Sequence, residues 1–194
     1  MKSEVGSLRV GSGGWRDRVA WAPAAGTRPV SGIEHLSREV VVATPLEETF
    51  AFFADAANLE RLTPPWLSFR IRTPLPIELR EGALIDYQIV LHGWPIPWRT
   101  RIDVWEPGAR FVDRQLIGPY RWWHHEHRFE RVAGGTRVID RVEFVPRMRW
   151  LSGAMVRRDV GRIFDYRQEQ LPKLLGGLPA GVNRGAGGEP ATIS

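Results

Sequence analysis

The chain has 194 residues, a formal net charge of +5, 43% hydrophobic and 25% charged residues, the balance of a globular protein able to bury a core. It has no cysteine, which excludes disulfides, thiolate metal sites and a cysteine nucleophile. Nine tryptophans, rings that are costly to leave in water, call for a thick core or a wide apolar cavity.

The positive charge is uneven. Residues 1–33 hold Lys2, Arg9, Arg16, Arg18 and Arg28 against Glu4 and Asp17, so most of the excess lies outside the patterned part of the chain. A nucleic-acid binder concentrates basic residues on its folded face, and none is expected as a partner here. No run approaches the ~18 apolar residues of a membrane helix, and the start of the chain lacks a basic-then-apolar leader. The expectation is a cytoplasmic protein. Residues 1–34 and 176–194, rich in Gly, Ala and Pro without periodicity, read as disordered extensions around one domain at 35–175.

In chain order, LSREVVVA at 36–43 has β-branched strand character. Thr44 followed by Pro45 predicts a helix start, a hydroxyl N-cap and then proline at the first helical position. The helix at 45–56 buries Leu46, Phe50 and Phe53 at helical spacing. Asp55 caps a second short helix at 56–62, which stops before Pro64-Pro65. Strands are expected at 68–73, 83–91, 97–106, 110–117, 120–132 and 136–145, with EPGA, GPY and AGGT marking turns. Such closely spaced strands without helices between them form an antiparallel meander. A long helix at 149–175 carries the stripe Val156, Val160, Ile163, Phe164, Leu171 and Leu174, with Pro172 ending or kinking it. The predicted class is α+β: a curved antiparallel sheet wrapped around a long C-terminal helix, with two short helices after the first strand.

The stretch RWWHHEHRF at 121–129 holds three of the five histidines. A two-residue Gly134-Gly135 loop would place Phe129 opposite Asp140, His127 opposite Val142 and His125 opposite Phe144. One face then carries Trp123, His125, His127 and Phe129 with Asp140 and Phe144. The other face, with Trp122, His124, Glu126 and Arg128, is mostly charged and points outward. A Pro107-Gly108 loop places Phe111 opposite Val104, Asp113 opposite Ile102 and Gln115 opposite Thr100, all inward with Trp98. Tyr87 belongs to the inward set of its strand. A dry core tolerates few unpartnered polar groups, at about 1–3 kcal/mol each. Tyr87, Thr100, Asp113, Gln115, His125, His127 and Asp140 together therefore predict a pocket.

The segments NLERLTPPWLSF, GALIDYQIVLHGWPIPWRTRI, FVDRQLIGPYRWWHHEHRF, TRVIDRVEFVP and IFDYRQEQL resemble bacterial SRPBCC proteins, the START-like helix-grip superfamily of ligand-binding proteins and polyketide cyclases/dehydrases. The resemblance spans about 36–175. It implies a deep hydrophobic cavity between sheet and helix, and relatives that include lipid and quinone binders as well as aromatase/cyclases. It carries over no catalytic residue.

Three function classes follow. The first is a binding protein for a hydrophobic small molecule: a lipid, an isoprenoid or quinone, or a polyketide-like ring. Its pocket would use the inward residues above together with Phe164 and Arg167 of the last helix. Arg167 either meets an anionic ligand end, pairs with Asp113 or Asp140, or reaches solvent. The second is a cyclase/dehydratase-type enzyme using His125, His127 and Asp140 as acid–base groups. The third is an interaction module using its two extensions. His125, His127 and Asp140 have the chemistry of a zinc set, with Asp140 diagonal to His127, but i,i+2 histidines on a strand are common, and no metal or cofactor is assigned. Trp105 and Trp122 are expected outside, as a possible interaction patch.

Overall fold

A computed structural model describes residues 31–91, 93–147 and 153–177. The elements run β1 (Glu34–Val42), α1 (Leu46–Ala54), a 3-10 turn, α2 (Leu59–Leu62), a second 3-10 turn, β2 (Arg70–Ile71), β3 (Leu84–Leu91), β4 (Trp94–Glu106), β5 (Arg110–Ile117), β6 (Tyr120–Val132), β7 (Gly135–Pro146) and α3 (Gly153–Leu175). The strands form one antiparallel sheet in the order β1-β7-β6-β5-β4-β3-β2. The first strand therefore pairs with the last, and β1 and β2 are the edges of the sheet. No helix among the described residues is long and apolar enough to cross a membrane.

Of the two expected extensions, 1–30 and 178–194 lie outside the described residues. Glu34 already pairs with Phe144 in the sheet. Ala43 N donates to the carbonyl of Gly176 at 2.8 Å, and Gly177 bridges to Val42.

Thr44 does not cap α1. Pro45 takes the cap position without a side-chain hydrogen bond. The Thr44 hydroxyl instead donates to the Leu175 carbonyl at the end of α3, while its own carbonyl accepts from the hydroxyls of Thr49 and Thr136. The residue thus ties the start of α1 to the last strand and the last helix. Asp55 does cap the next turn, accepting from Ala57 N at 3.0 Å. Pro172 lies inside α3, which continues to Leu175.

The register differs from expectation in both hairpins. In the β6–β7 hairpin the loop is Ala133-Gly134, so Val132 pairs with Gly135, His127 with Asp140, His125 with Val142 and Trp123 with Phe144. Gly134 has φ of +83°, which suits glycine in the turn. Gly135 is a glycine for another reason: a Cβ there would lie 1.9 Å from the Val42 carbonyl oxygen. The pairing sum moves by two, an even shift, so every side chain keeps its face.

In β4 the shift is odd. A bulge between Ile102 and Val104 pairs Phe111 with Trp105 and not with Val104. Trp105 therefore turns inward and packs against Phe50, with ring centroids 5.2 Å apart. The expected outer Trp105–Trp122 patch does not form. Trp122 is outside, where its ring stacks on His124.

The apolar interior has two parts. Under α1, Phe50 and Phe53 meet Phe111, Phe129 and Ile102. Under α3, Val156, Val160 and Phe164 meet Trp98, Trp123 and Phe144. Burying side chains of this size contributes roughly 1.5–3 kcal/mol each. Between the two clusters the floor is polar.

Candidate ligand cavity and its polar floor

A cavity of about 660 Å³ lies between the sheet and α3. Trp98, Tyr120, Trp123 and Phe164 form aromatic walls, Leu67, Phe69 and Ile89 an apolar side, and Trp94, Arg147 and Met155 stand with them around the space. Trp94 is 75% exposed. A second chamber of about 60 Å³ lies toward α1, against Phe53, Ile85, Ile102 and Phe111. It has room for ordered water, not for a ligand ring. Tyr87, Asp113, His127 and Arg167 line both spaces.

Strand alternation assembles the floor. On β6, His125 and His127 point inward; β5 brings Asp113 opposite His125, and β7 brings Asp140 opposite His127. From above, Arg167 occupies one position of the apolar stripe of α3, between Phe164 and Leu171. Its Nε donates to Asp140 Oδ2 at 3.0 Å, its Nη2 lies 3.2 Å from His127 Nδ1, and the guanidinium carbon sits 5.0 Å from the centre of the Phe53 ring. His125 stands between the two carboxylates, Nδ1 3.2 Å from Asp113 Oδ2 and Nε2 3.1 Å from Asp140 Oδ1. His127 Nε2 lies 3.0 Å from the same Asp113 oxygen, and its Nδ1 is 3.0 Å from Asp140 Oδ1. The His127 ring stacks on Phe111 at 4.1 Å, and His125 meets the edge of Phe164.

The hydrogen bonds assign the protons. A guanidinium only donates, so Arg167 needs a lone pair at His127 Nδ1. The His127 proton is then on Nε2, donated to Asp113. His125 has a carboxylate at each nitrogen and is satisfied as the imidazolium. Two carboxylates, one guanidinium and one imidazolium sum to zero. Burial opposes the charge on His125, but Asp113 and Asp140 outweigh it and raise its pKa. Burial and the neighbouring charge of His125 lower that of His127. Burial would raise both aspartates; instead His125 and His127 hold Asp113 well below the usual carboxylate range, and Arg167 with the two imidazoles does the same for Asp140.

The other residues singled out in the sequence separate into two groups. Tyr87, Trp98 and Trp123 line the main cavity with Phe164. Thr100 lines the small chamber, where its hydroxyl accepts from Trp98 Nε1 at 3.1 Å and lies 3.3 Å from the Tyr87 hydroxyl. It orients both rings. Gln115, Phe129, Asp140 and Phe144 line neither space. Gln115 clips the β5–β6 turn, donating to the Tyr120 carbonyl at 2.8 Å. Phe129 and Phe144 belong to the core, and Asp140, 1% exposed, stands behind the histidines. Tyr120 was missed: simple alternation points it outward, but a bulge between Tyr120 and Trp122 turns it into the wall.

Residues 90–175 match a family described as a domain of unknown function, DUF8410. No curated protein matches the chain by sequence. Among solved structures, the Zhui aromatase/cyclase from Streptomyces sp. R1128 is similar at 19% identity and a TM-score of 0.60, over 75% of this chain and 99% of that one. Protein CV1439 from Chromobacterium violaceum gives 16% identity and a TM-score of 0.60, over 74% and 99%. Major latex-like protein 151 from Panax ginseng gives 8% identity and 0.57, over 76% and 99%. The fold is the START-like helix grip. At these identities the likeness concerns the backbone: sheet, short helices after the first strand, and long C-terminal helix.

Proposed function

We propose that the protein binds a hydrophobic small molecule whose polar end meets Asp113, His125, His127 and Arg167. The observation that carries this reading is the continuity of an aromatic-walled space of about 660 Å³ with a charged floor. Small-molecule sites commonly enclose ~300–1,000 Å³, are mostly apolar, and use a few convergent polar groups to fix orientation. Lipids, isoprenoid quinones and polyketide-like rings all meet that description.

The test begins with native mass spectrometry of protein purified from its own host, to identify a co-purifying small molecule. Binding of that molecule is then followed by quenching of tryptophan fluorescence. Val156→Trp, which fills space beneath α3, is expected to weaken binding at least tenfold, while His124→Ala on the outer face leaves it unchanged. Equal affinity in wild type and Val156→Trp would remove the cavity from the reading.

A second reading, a cyclase/dehydratase-type enzyme, is supported by the two imidazoles hydrogen-bonded to carboxylates beside the cavity and by the similarity to an aromatase/cyclase. Folding a long chain against aromatic walls and moving protons at one end would need little more. His125→Gln and His127→Gln separate the two: retained binding with lost turnover makes the protein an enzyme.

A further inference from the structure

We propose that Asp113, His125 and His127 form a binding site for one first-row divalent metal ion, zinc being the simplest occupant. Three donor atoms converge on the cavity side of the floor: Asp113 Oδ2, His125 Nδ1 and His127 Nε2. They lie within 4.8 Å of one another, with the carboxylate oxygen 3.2 Å from one nitrogen and 3.0 Å from the other. Zinc holds nitrogen and oxygen ligands at ~2.0–2.2 Å in a tetrahedron, which spaces neighbouring donors roughly 3.3–3.5 Å apart. The two oxygen–nitrogen separations therefore need to open by only a few tenths of an ångström.

The groups behind them supply the second, independent observation. The ring nitrogens that do not face Asp113, His125 Nε2 and His127 Nδ1, both meet one oxygen of Asp140, at 3.1 and 3.0 Å. Asp140 is in turn held by Arg167. A ligating histidine almost always gives its other N–H to a carboxylate or carbonyl, which fixes ring and tautomer. Here a single buried carboxylate stands at both. His125 Nε2 donates to it already. His127, whose Nδ1 accepts from Arg167 in the metal-free state, takes its proton on Nδ1 and turns it from Arg167 to Asp140 once Nε2 binds the ion. The aspartate that looks like a ligand in the sequence is the supporting one, and Asp113 is the ligand.

A site with three protein ligands keeps a position free. All three donors line the main cavity, so that position faces the proposed ligand. Two neutral imidazoles, one divalent ion, two carboxylates and Arg167 sum to +1, which favours an anionic oxygen there: a carboxylate, an enolate or hydroxide. This last step rests on the cavity-ligand reading, whereas the metal set itself does not. A two-histidine, one-carboxylate set without thiolate suits zinc and ferrous iron alike.

The test uses the full chain, dialysed against EDTA, with no organic ligand present. Titration with Co²⁺, read by its visible d–d absorption, is expected to saturate at one equivalent, and Zn²⁺ to displace the cobalt. Asp140→Asn is expected to weaken binding ~10–100-fold, the effect of an outer-shell change. Asp113→Asn and His127→Gln should cost more than that, in variants whose near-ultraviolet circular dichroism matches wild type. Absence of saturable binding, or equal binding by Asp113→Asn, overturns the proposal. Should the variants not fold, histidine ¹⁵N shifts of the wild type decide. Zinc must move His125 Nδ1 and His127 Nε2, and shifts confined to His35 or His124 refute the site. Apolar ligand binding by the metal-free protein would survive such a failure, so the two readings fail separately.

Discussion

Consecutive side chains of β6 feed two polar clusters on opposite faces of the sheet. Glu126 goes outward, where Arg128 Nη2, Arg110 Nη1 and Arg141 Nη1 reach its carboxylate at 3.0, 3.3 and 3.3 Å. His125 and His127 go inward to Asp113, Asp140 and Arg167. Both clusters hold buried carboxylates, but the surplus of charge is handled differently. The outer cluster has three cations around Glu126, one of them (Arg110) shared with Glu106 at 2.7 and 2.8 Å, and each guanidinium stays partly in water, which screens the remaining excess. The inner one has no such outlet: the side chains of His125, His127, Asp140 and Arg167 are exposed by 8% or less. There, formal neutrality and a partner for each charge replace solvent. A carboxylate's dependence on its partners is thus set by whether those partners can also reach water.

The largest effect is therefore expected at Asp140. Removing one member of a buried ion pair strands the other, typically at a cost of 3–5 kcal/mol, and Asp140→Ala strands Arg167 and one nitrogen of His125. Urea denaturation at neutral pH is expected to show a loss of about that size. The double variant Asp140→Leu/Arg167→Met, which removes the charges together, should recover much of it. A loss below ~1 kcal/mol for Asp140→Ala would mean that water reaches the inner cluster after all, and the contrast between the faces would collapse.

Glu126→Gln probes the other side. Burial would raise the pKa of this carboxyl, yet Arg128, Arg110 and Arg141 hold it below its ordinary value, so it is charged and contributes as an anion. The amide keeps the shape and one acceptor oxygen, and the arginines it releases are solvated without moving far. Hydrogen bonds to charged groups contribute about 1.5–3 kcal/mol, partly regained through that solvation, so the same urea experiment should show about 1–2 kcal/mol. A loss as large as that of Asp140→Ala would make the two faces equivalent.

Much of this was legible from alternation. The charged set on β6 assigned its outer face, and an even error in the β6–β7 pairing left both histidines inward. The α+β class, the run of strands and the long helix were likewise carried by period and turn chemistry. Bulges were not legible. The ones in β4 and at the start of β6 leave no mark in composition, and each flips what lies beyond it, which is why Trp105 moved inward and Tyr120 joined the wall. A face is also not a cavity. Phe129 and Phe144 share the inward face with His125 but are covered by α1 and α3, since the sheet is longer than the space above it. The ordering of Asp113 in front of the histidines and Asp140 behind them depends on where α3 places Arg167. The sequence showed only that a cation interrupts the helix stripe.

The smallest effect is expected at a pair whose geometry is among the shortest. Arg131, near the far end of β6, reaches Glu47 of α1 with Nη2 at 2.6 Å from the carboxylate, closer than any pair around Glu126 or Asp140. Both side chains are about two-thirds exposed. Each is well hydrated when apart, and bringing them together restricts two long side chains, so exposed pairs contribute little whatever their distance. Arg131→Ala is expected to leave the urea midpoint unchanged within error, at low salt as well as at high. A shift comparable to that of Glu126→Gln would show that distance governs these pairs. An unchanged midpoint would leave burial of the partners as the quantity that separates Asp140, Glu126 and Glu47 along one strand's neighbourhood.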